Sequence, residues 1–185
     1  MTTTGPNTAG TVAEDASFGT AAWANVTNTT SSNNSYAATQ EFTSGASPTR
    51  YIKLTNFGFS IADTQIDGIQ VDVERKSSRA TVKDSVVKLV IGGTVSGSNL
   101  ADATNWPGSD ANKTYGGATT LWGLTPSVAD VNGSGFGVVI SVAWVSGTGK
   151  ANSAQGQIDL VTITITSSTG GGGPTVKTLA ALGVG

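Results

Sequence analysis

At 185 residues the chain is long enough for one domain with a full core, yet charged residues make up only 12% of it, about half the ~25% usual for soluble domains. A net charge of −2 and a pI near 4.9 leave no basic field to hold nucleic-acid phosphates. Cysteine is absent, which excludes disulfides and thiolate metal sites, and no apolar run approaches the ~20 residues of a membrane helix. Abundant glycine, serine and threonine predict an all-β chain of short strands joined by turns.

Residues 1–17 are polar and broken by Gly5-Pro6 and Gly10, and read as a flexible N-terminal arm without a core of its own. Met1–Gly10 has neither the basic residues nor the apolar stretch of a signal peptide, so synthesis in a cytoplasm is expected. Strands are predicted at Phe18–Trp23, Ser35–Thr39 and Arg50–Thr55, with the Asn/Thr/Ser-rich stretch Asn25–Ser35 as a loop. In Asp67–Lys76 the apolar Ile69, Val71 and Val73 alternate with Gln70, Asp72 and Glu74, a period of two that buries one face. The pattern resumes over Ala80–Ile91, with Val87, Leu89 and Ile91 in phase, and the two runs read as a long antiparallel hairpin.

Residues 92–123 are broken by Gly92-Gly93, Trp106-Pro107 and Gly116-Gly117, and read as a long decorated connection. Thr125 as N-cap and Pro126 at the first helical position predict one helical turn before Asn132. Two long strands, Phe136–Val145 and Gln157–Thr166, close an antiparallel, jelly-roll-like β-sandwich spanning residues 18–168. Residues 169–175 are a Gly-rich linker, and 176–185 an apolar tail carrying Val176, Leu179, Leu182 and Val184. That tail either folds back on its own domain or docks on a neighbour as a strand or short helix, and four glycines favour reach over a tight return.

The residues argue against catalysis. With neither histidine nor cysteine, Ser-His-Asp, Cys-His and imidazole–zinc chemistry are all removed, and no catalytic residue or cofactor is assigned. Carboxylates at Asp63, Asp67, Asp72, Glu74, Asp84, Asp102, Asp110 and Asp130 mostly sit in turn contexts, where Asp serves the backbone. The loop Asn99–Asn112 offers Asp102, Asn105, Asp110 and Asn112 as oxygen donors for calcium, but without EF-hand spacing, so no metal site is assigned. The basic residues Arg75, Lys76, Arg79, Lys83 and Lys88 are interleaved with Asp72, Glu74 and Asp84 and read as a solvated hairpin. Trp106, Tyr115 and Trp122 have two readings, either ligand-facing rings that stack on sugars or clamps that hold an irregular connection to the sandwich. Trp23 and Trp144 lie in strand patterns and read as core.

The runs Tyr51–Ile61 and Ile66–Lys76, with Val82-Lys83-Asp84, Trp106-Pro107, Tyr115-Gly116-Gly117, Leu121-Trp122-Gly123-Leu124 and Phe136-Gly137-Val138, resemble a β-sandwich domain of bacteriophage virion proteins. The resemblance spans roughly residues 11–166, and the tail beginning Val176-Lys177-Thr178 is similar to C-terminal segments of such proteins. It implies a non-enzymatic virion protein made in the bacterial host cytoplasm. More narrowly, it implies a capsid decoration (cement) protein that sits on the capsid surface as a homotrimer, binds the major capsid protein and neighbouring copies of itself, bridges capsomers, and contacts neither nucleic acid nor membrane. The alternative is a glycan- or host-binding module of a tail fibre or baseplate, which requires an exposed Trp/Tyr cluster.

Overall fold

The structure, a computed structural model, describes residues 1–40, 48–78, 81–145 and 154–170. Within them lie strands β1 (Thr2–Thr8), β2 (Thr11–Asp15), β3 (Trp23–Ala24), β4 (Ala37–Thr39), β5 (Tyr51–Thr55), β6 (Gln65–Ser77), β7 (Val82–Ile91), β8 (Thr94–Ser96), β9 (Ala111–Gly117), β10 (Gly137–Trp144) and β11 (Gly156–Ser168). A 3-10 turn at Val26–Thr29 and one short helix, α1 (Val128–Asn132), complete the described elements. One sheet runs β3-β4-β11-β6-β9, with β1 also paired to β11, and the other runs β2-β5-β10-β7-β8. The chain is an all-β antiparallel sandwich. Its four-strand sets β4-β11-β6-β9 and β5-β10-β7-β8 have the interleaved order of a jelly roll.

Period-two patterning builds the core from both sheets. Inward from the first point Ile69, Val71 and Val73 of β6 and Val161, Ile163 and Ile165 of β11, all essentially without solvent contact. The second sheet answers with the rows Leu54–Val138–Leu89 and Ile52–Ile140–Val87. Bulges keep the patterns in phase where the sequence slips. Asp67 is skipped in the β6–β11 ladder, Asp159 in the same ladder nearer the start of β11, and Ser85 in the β7–β10 ladder.

Several expectations are corrected. Residues 1–17 are not a free arm: β1 pairs with β11 from Thr2↔Ser167 to Thr8↔Thr162, and β2 pairs with β5 from Thr11↔Thr55 to Asp15↔Tyr51. The segment reads as polar because it adds to two existing sheets through backbone hydrogen bonds, and contributes only Ala9 and Val12 to the core. The expected hairpin of Asp67–Lys76 with Ala80–Ile91 is not one either. β6 and β7 belong to opposite sheets, so their apolar faces meet across the core rather than side by side. Phe18–Trp23 is not a continuous strand: Ala21 makes a single parallel bridge to Thr49, only Trp23–Ala24 forms a strand, and Phe18 stacks on Tyr51 at 4.8 Å between ring centroids. The connection 92–123 contains β8 and β9, the latter a full edge strand on β6. The helical turn is present, but its cap is Ser127, whose hydroxyl accepts from the Asp130 N–H while the Asp130 carboxylate accepts from the Ser127 N–H. The tail residues Val176, Leu179, Leu182 and Val184, most of the linker, and Arg79 and Ala80 lie outside the described residues.

Candidate functional site

The three aromatic candidates are brought close to the sandwich interior and do not face solvent. Trp106 and Trp122 are each 1% exposed and Tyr115 4%, which corrects the ligand-facing reading. Each also has its polar atom bonded within the protein. The Trp122 indole N–H donates to the Ile69 carbonyl at 2.9 Å, and its ring lies where a Cβ on Gly116 would strike Nε1 at 2.7 Å, so Gly116 must lack a side chain. Trp106 donates to Asp84 Oδ1 at 2.7 Å, and the Tyr115 hydroxyl donates to Asp84 Oδ2 at 2.8 Å.

Asp84 is thus the centre of a buried polar cluster between the sheets. Arg75, on β6, donates through Nη1 to Asp84 Oδ1 and to the Tyr115 hydroxyl oxygen, and its guanidinium lies 4.7 Å from the Trp106 ring centroid. The Asp102 N–H supplies a further donor to Asp84 Oδ2 at 2.8 Å. Arg75 and Asp84 are 3% and 5% exposed, so the reading of this region as a solvated hairpin is corrected for these two residues. Burial, then the neighbouring Asp84 carboxylate, push the Tyr115 phenol far above its ordinary range, so it remains a donor throughout the neutral range. The cluster is closed to solutes and joins β6, β7, β9 and the connection before β9. The Arg75 Nε–H is left without a partner.

Several of the remaining carboxylates are turned to neighbours in the protein. Asp102 pairs with Lys113 and accepts from the Thr104 N–H, which hold its carboxyl far below the usual range. Asp110 accepts from the Tyr36 hydroxyl at 2.8 Å and pairs with Lys76 at 3.3 Å. Asp72 accepts from Thr114 and Gln70, and Asp63 accepts from the Ser167 hydroxyl at 2.8 Å. Among the described residues no three acidic side chains gather, and the two acids of the loop Asn99–Asn112 are paired with Lys113 and Lys76. A carboxylate absent from the sequence-level candidates, Asp159, is buried at its bulge. Its Oδ2 accepts from the N–H groups of Asn33 and Asn34 at 3.1 and 2.8 Å, fastening the polar loop after the 3-10 turn to β11.

One surface hollow, of about 260 Å³, lies between Thr2 and Thr4 of β1, Asp63 and Ser167. A hollow of about 270 Å³ is lined by Thr64, Gln65, Ile66, Leu121, Thr125 and Pro126. Across Thr125-Pro126 a second of about 200 Å³ is lined by Ile91, Ser96, Leu124 and Asp130. Neither contains a pair of opposed carboxylates or a nucleophile with a base, and both fall below the ~300 Å³ typical of small-molecule sites. Nothing in the sequence marked them, because they arise where residues distant in the chain meet.

No protein-family model matches this chain. No curated protein matches it. Among solved structures it is similar to the second N-terminal cellulose-binding domain of β-1,4-glucanase C from Cellulomonas fimi, with 15% identity, coverage of 88% of this chain and 94% of that one, and a TM-score of 0.35.

Proposed function

We propose that the chain is a non-enzymatic structural protein of a bacteriophage particle, a decoration protein that binds the capsid shell as a homotrimer and bridges capsomers. The observation that carries this reading over glycan binding is the burial of Trp106, Tyr115 and Trp122, which removes the rings a sugar would stack on. Of the rings that are only partly buried, Tyr36 is roofed by the Lys76 ammonium at 3.7 Å, Phe18 is stacked on Tyr51, and Trp144 packs against the core. What the described residues offer instead are broad sheet faces and open strand edges, surfaces suited to packing against other subunits. Met1 is the one large apolar side chain among them that is strongly exposed, as suits a protein that is soluble before it assembles. The absence of histidine and cysteine from the chain agrees with a role without chemistry.

The test is co-sedimentation of the full-length protein with capsid shells of the encoding phage assembled without it. Binding that saturates at a fixed ratio to the major capsid protein is the expected result. Protein that stays in the supernatant at every concentration, while an immobilised host polysaccharide retains it, overturns the reading in favour of a receptor-binding module.

A further inference from the structure

Asn132 is the one asparagine in the chain that a glycine follows. Without a Cβ to shield it, the nitrogen of that glycine reaches the side-chain carbonyl carbon of the asparagine before it whenever the chain is free to move. In the structure both reacting groups are held elsewhere. The Ile61 N–H donates to Asn132 Oδ1 at 2.8 Å, and Asn132 Nδ2 donates back to the Ile61 carbonyl at 3.0 Å. The Gly133 N–H is turned to the Asp130 carbonyl at 3.3 Å, closing the end of α1. Asn132 is the last residue of α1 and Gly133 its cap, and both are exposed, so water has access to the pair.

We infer that Asn132 is a site of spontaneous deamidation that the native fold keeps latched, and that its modification undoes the latch. The chemistry needs only water. The Gly133 nitrogen, its proton lost to hydroxide, bonds to Asn132 Cγ; the Cγ–Nδ2 bond breaks, and ammonia leaves with a proton taken from water. A second water opens the resulting succinimide at either carbonyl, giving aspartate, or isoaspartate with the main chain routed through Cγ. In sum a side-chain amide and water become a carboxylate and ammonium. Aspartate still accepts from the Ile61 N–H but has no N–H to return, so a carboxylate oxygen faces the Ile61 carbonyl oxygen. Isoaspartate adds a carbon to the main chain and moves the group off Ile61 altogether. Ile61 is part of the core, and Ser60, Ile61 and Ala62 wall the hollow beside Thr2 and Thr4 of β1 and Ser167 of β11. A change at Asn132 is thereby passed to the corner where β1 meets β11. Two hydrogen bonds favour the latched state by roughly ten- to a hundredfold, which sets the protection expected of the folded chain. The inference does not depend on the particle role, because it concerns the free protein.

Trypsin releases residues 114–150 as one peptide, in which Asn132 is the only side-chain amide, so mass spectrometry reads this site alone. Full-length protein is aged at mildly alkaline pH, folded in one arm and in guanidinium chloride in the other. In denaturant this peptide is expected to deamidate ahead of every other asparagine, and Gly133→Ala to slow it severalfold. In the folded arm the same event is expected to be slower by roughly ten- to a hundredfold. Asn132→Asp is expected to unfold at lower denaturant concentration, with the Ile61 amide signal displaced in the folded protein. Equal rates in the two arms overturn the latch, and another asparagine leading in denaturant overturns the site. Wild-type stability of Asn132→Asp with an unmoved Ile61 amide overturns the consequence drawn for the fold.

Discussion

The residue with most at stake is Asp84. Its carboxylate has four donors, from Arg75, Trp106, Tyr115 and the Asp102 backbone, within a site that water does not reach. Removing one member of a buried ion pair leaves the other uncompensated, which costs about 3–5 kcal/mol, whereas replacing both with apolar groups of similar volume is far milder. Asp84→Leu alone is therefore expected to lose that amount in urea unfolding, and Arg75→Met combined with Asp84→Leu to recover most of it. Tyr115 adds a pH signature. Its folded pKa is raised, so its contribution is fully present below the unfolded phenol value of about 10 and is lost as pH rises above it. Tyr115→Phe is expected to lower stability at pH 7 but to make the decline between pH 10 and 12 shallower. Tyr51, also raised by burial, keeps the decline from vanishing. The sequence reading set Arg75 and Asp84 on a solvated hairpin, although the pattern carried part of the signal for their burial. Arg75 follows Ile69, Val71 and Val73 at the same period of two, which places it on the inward face whatever its charge. Asp84 keeps step with Val82 in the same way, but the bulge at Ser85 hides its relation to Val87 and Leu89.

At the scale of elements, the N-terminal strands separate the sequence reading from the structure most sharply. A free arm can be deleted without effect on stability. β1 instead makes a ladder along β11, and its removal forfeits several backbone hydrogen bonds of about 0.5–1.5 kcal/mol net each. Deleting residues 1–8 is expected to lower Tm by roughly 5–15 °C and to promote aggregation, since the edge of β11 near Thr162 and Thr166 is then uncovered. Calorimetry with light scattering reads both effects. Edge strands of this kind are hard to see in sequence because ladder bonds use the backbone, which every sequence shares, while the core takes little from them. The central strands were legible for the opposite reason: Ile163, Ile165, Val138 and Ile140 declare their face by alternation. The helix cap shows two local rules in competition. Pro126 suits the first turn, but Ser127 and Asp130 satisfy two backbone donors and fix the helix start two residues later.

For the whole molecule, alternation tells that a strand has one buried face but not which strand lies beside it, so the jelly-roll-like sandwich was expected while the neighbours of individual strands were not. β6 and β7 make the point: both read as half-buried strands, and nothing in their residues chooses between a hairpin and a passage from one sheet to the other. The wiring has its own physical consequence. From β4 to β7 each successive strand enters the opposite sheet, and β10 and β11 later insert between strands already laid down. Neither sheet is continuous in sequence, so no half of the chain can bury its apolar face without the other. The Arg75–Asp84 pair, one residue from each sheet, reinforces that dependence. Unfolding is therefore expected to be a single transition in which tryptophan fluorescence, reporting the core around Trp106 and Trp122, coincides with the far-ultraviolet signal of the sheets. Refolding from urea is expected on the millisecond-to-second scale of topologies dominated by distant pairings. Two separated transitions, or a fluorescence change that precedes loss of the sheets, would mean that one sheet persists alone, which this strand order does not allow.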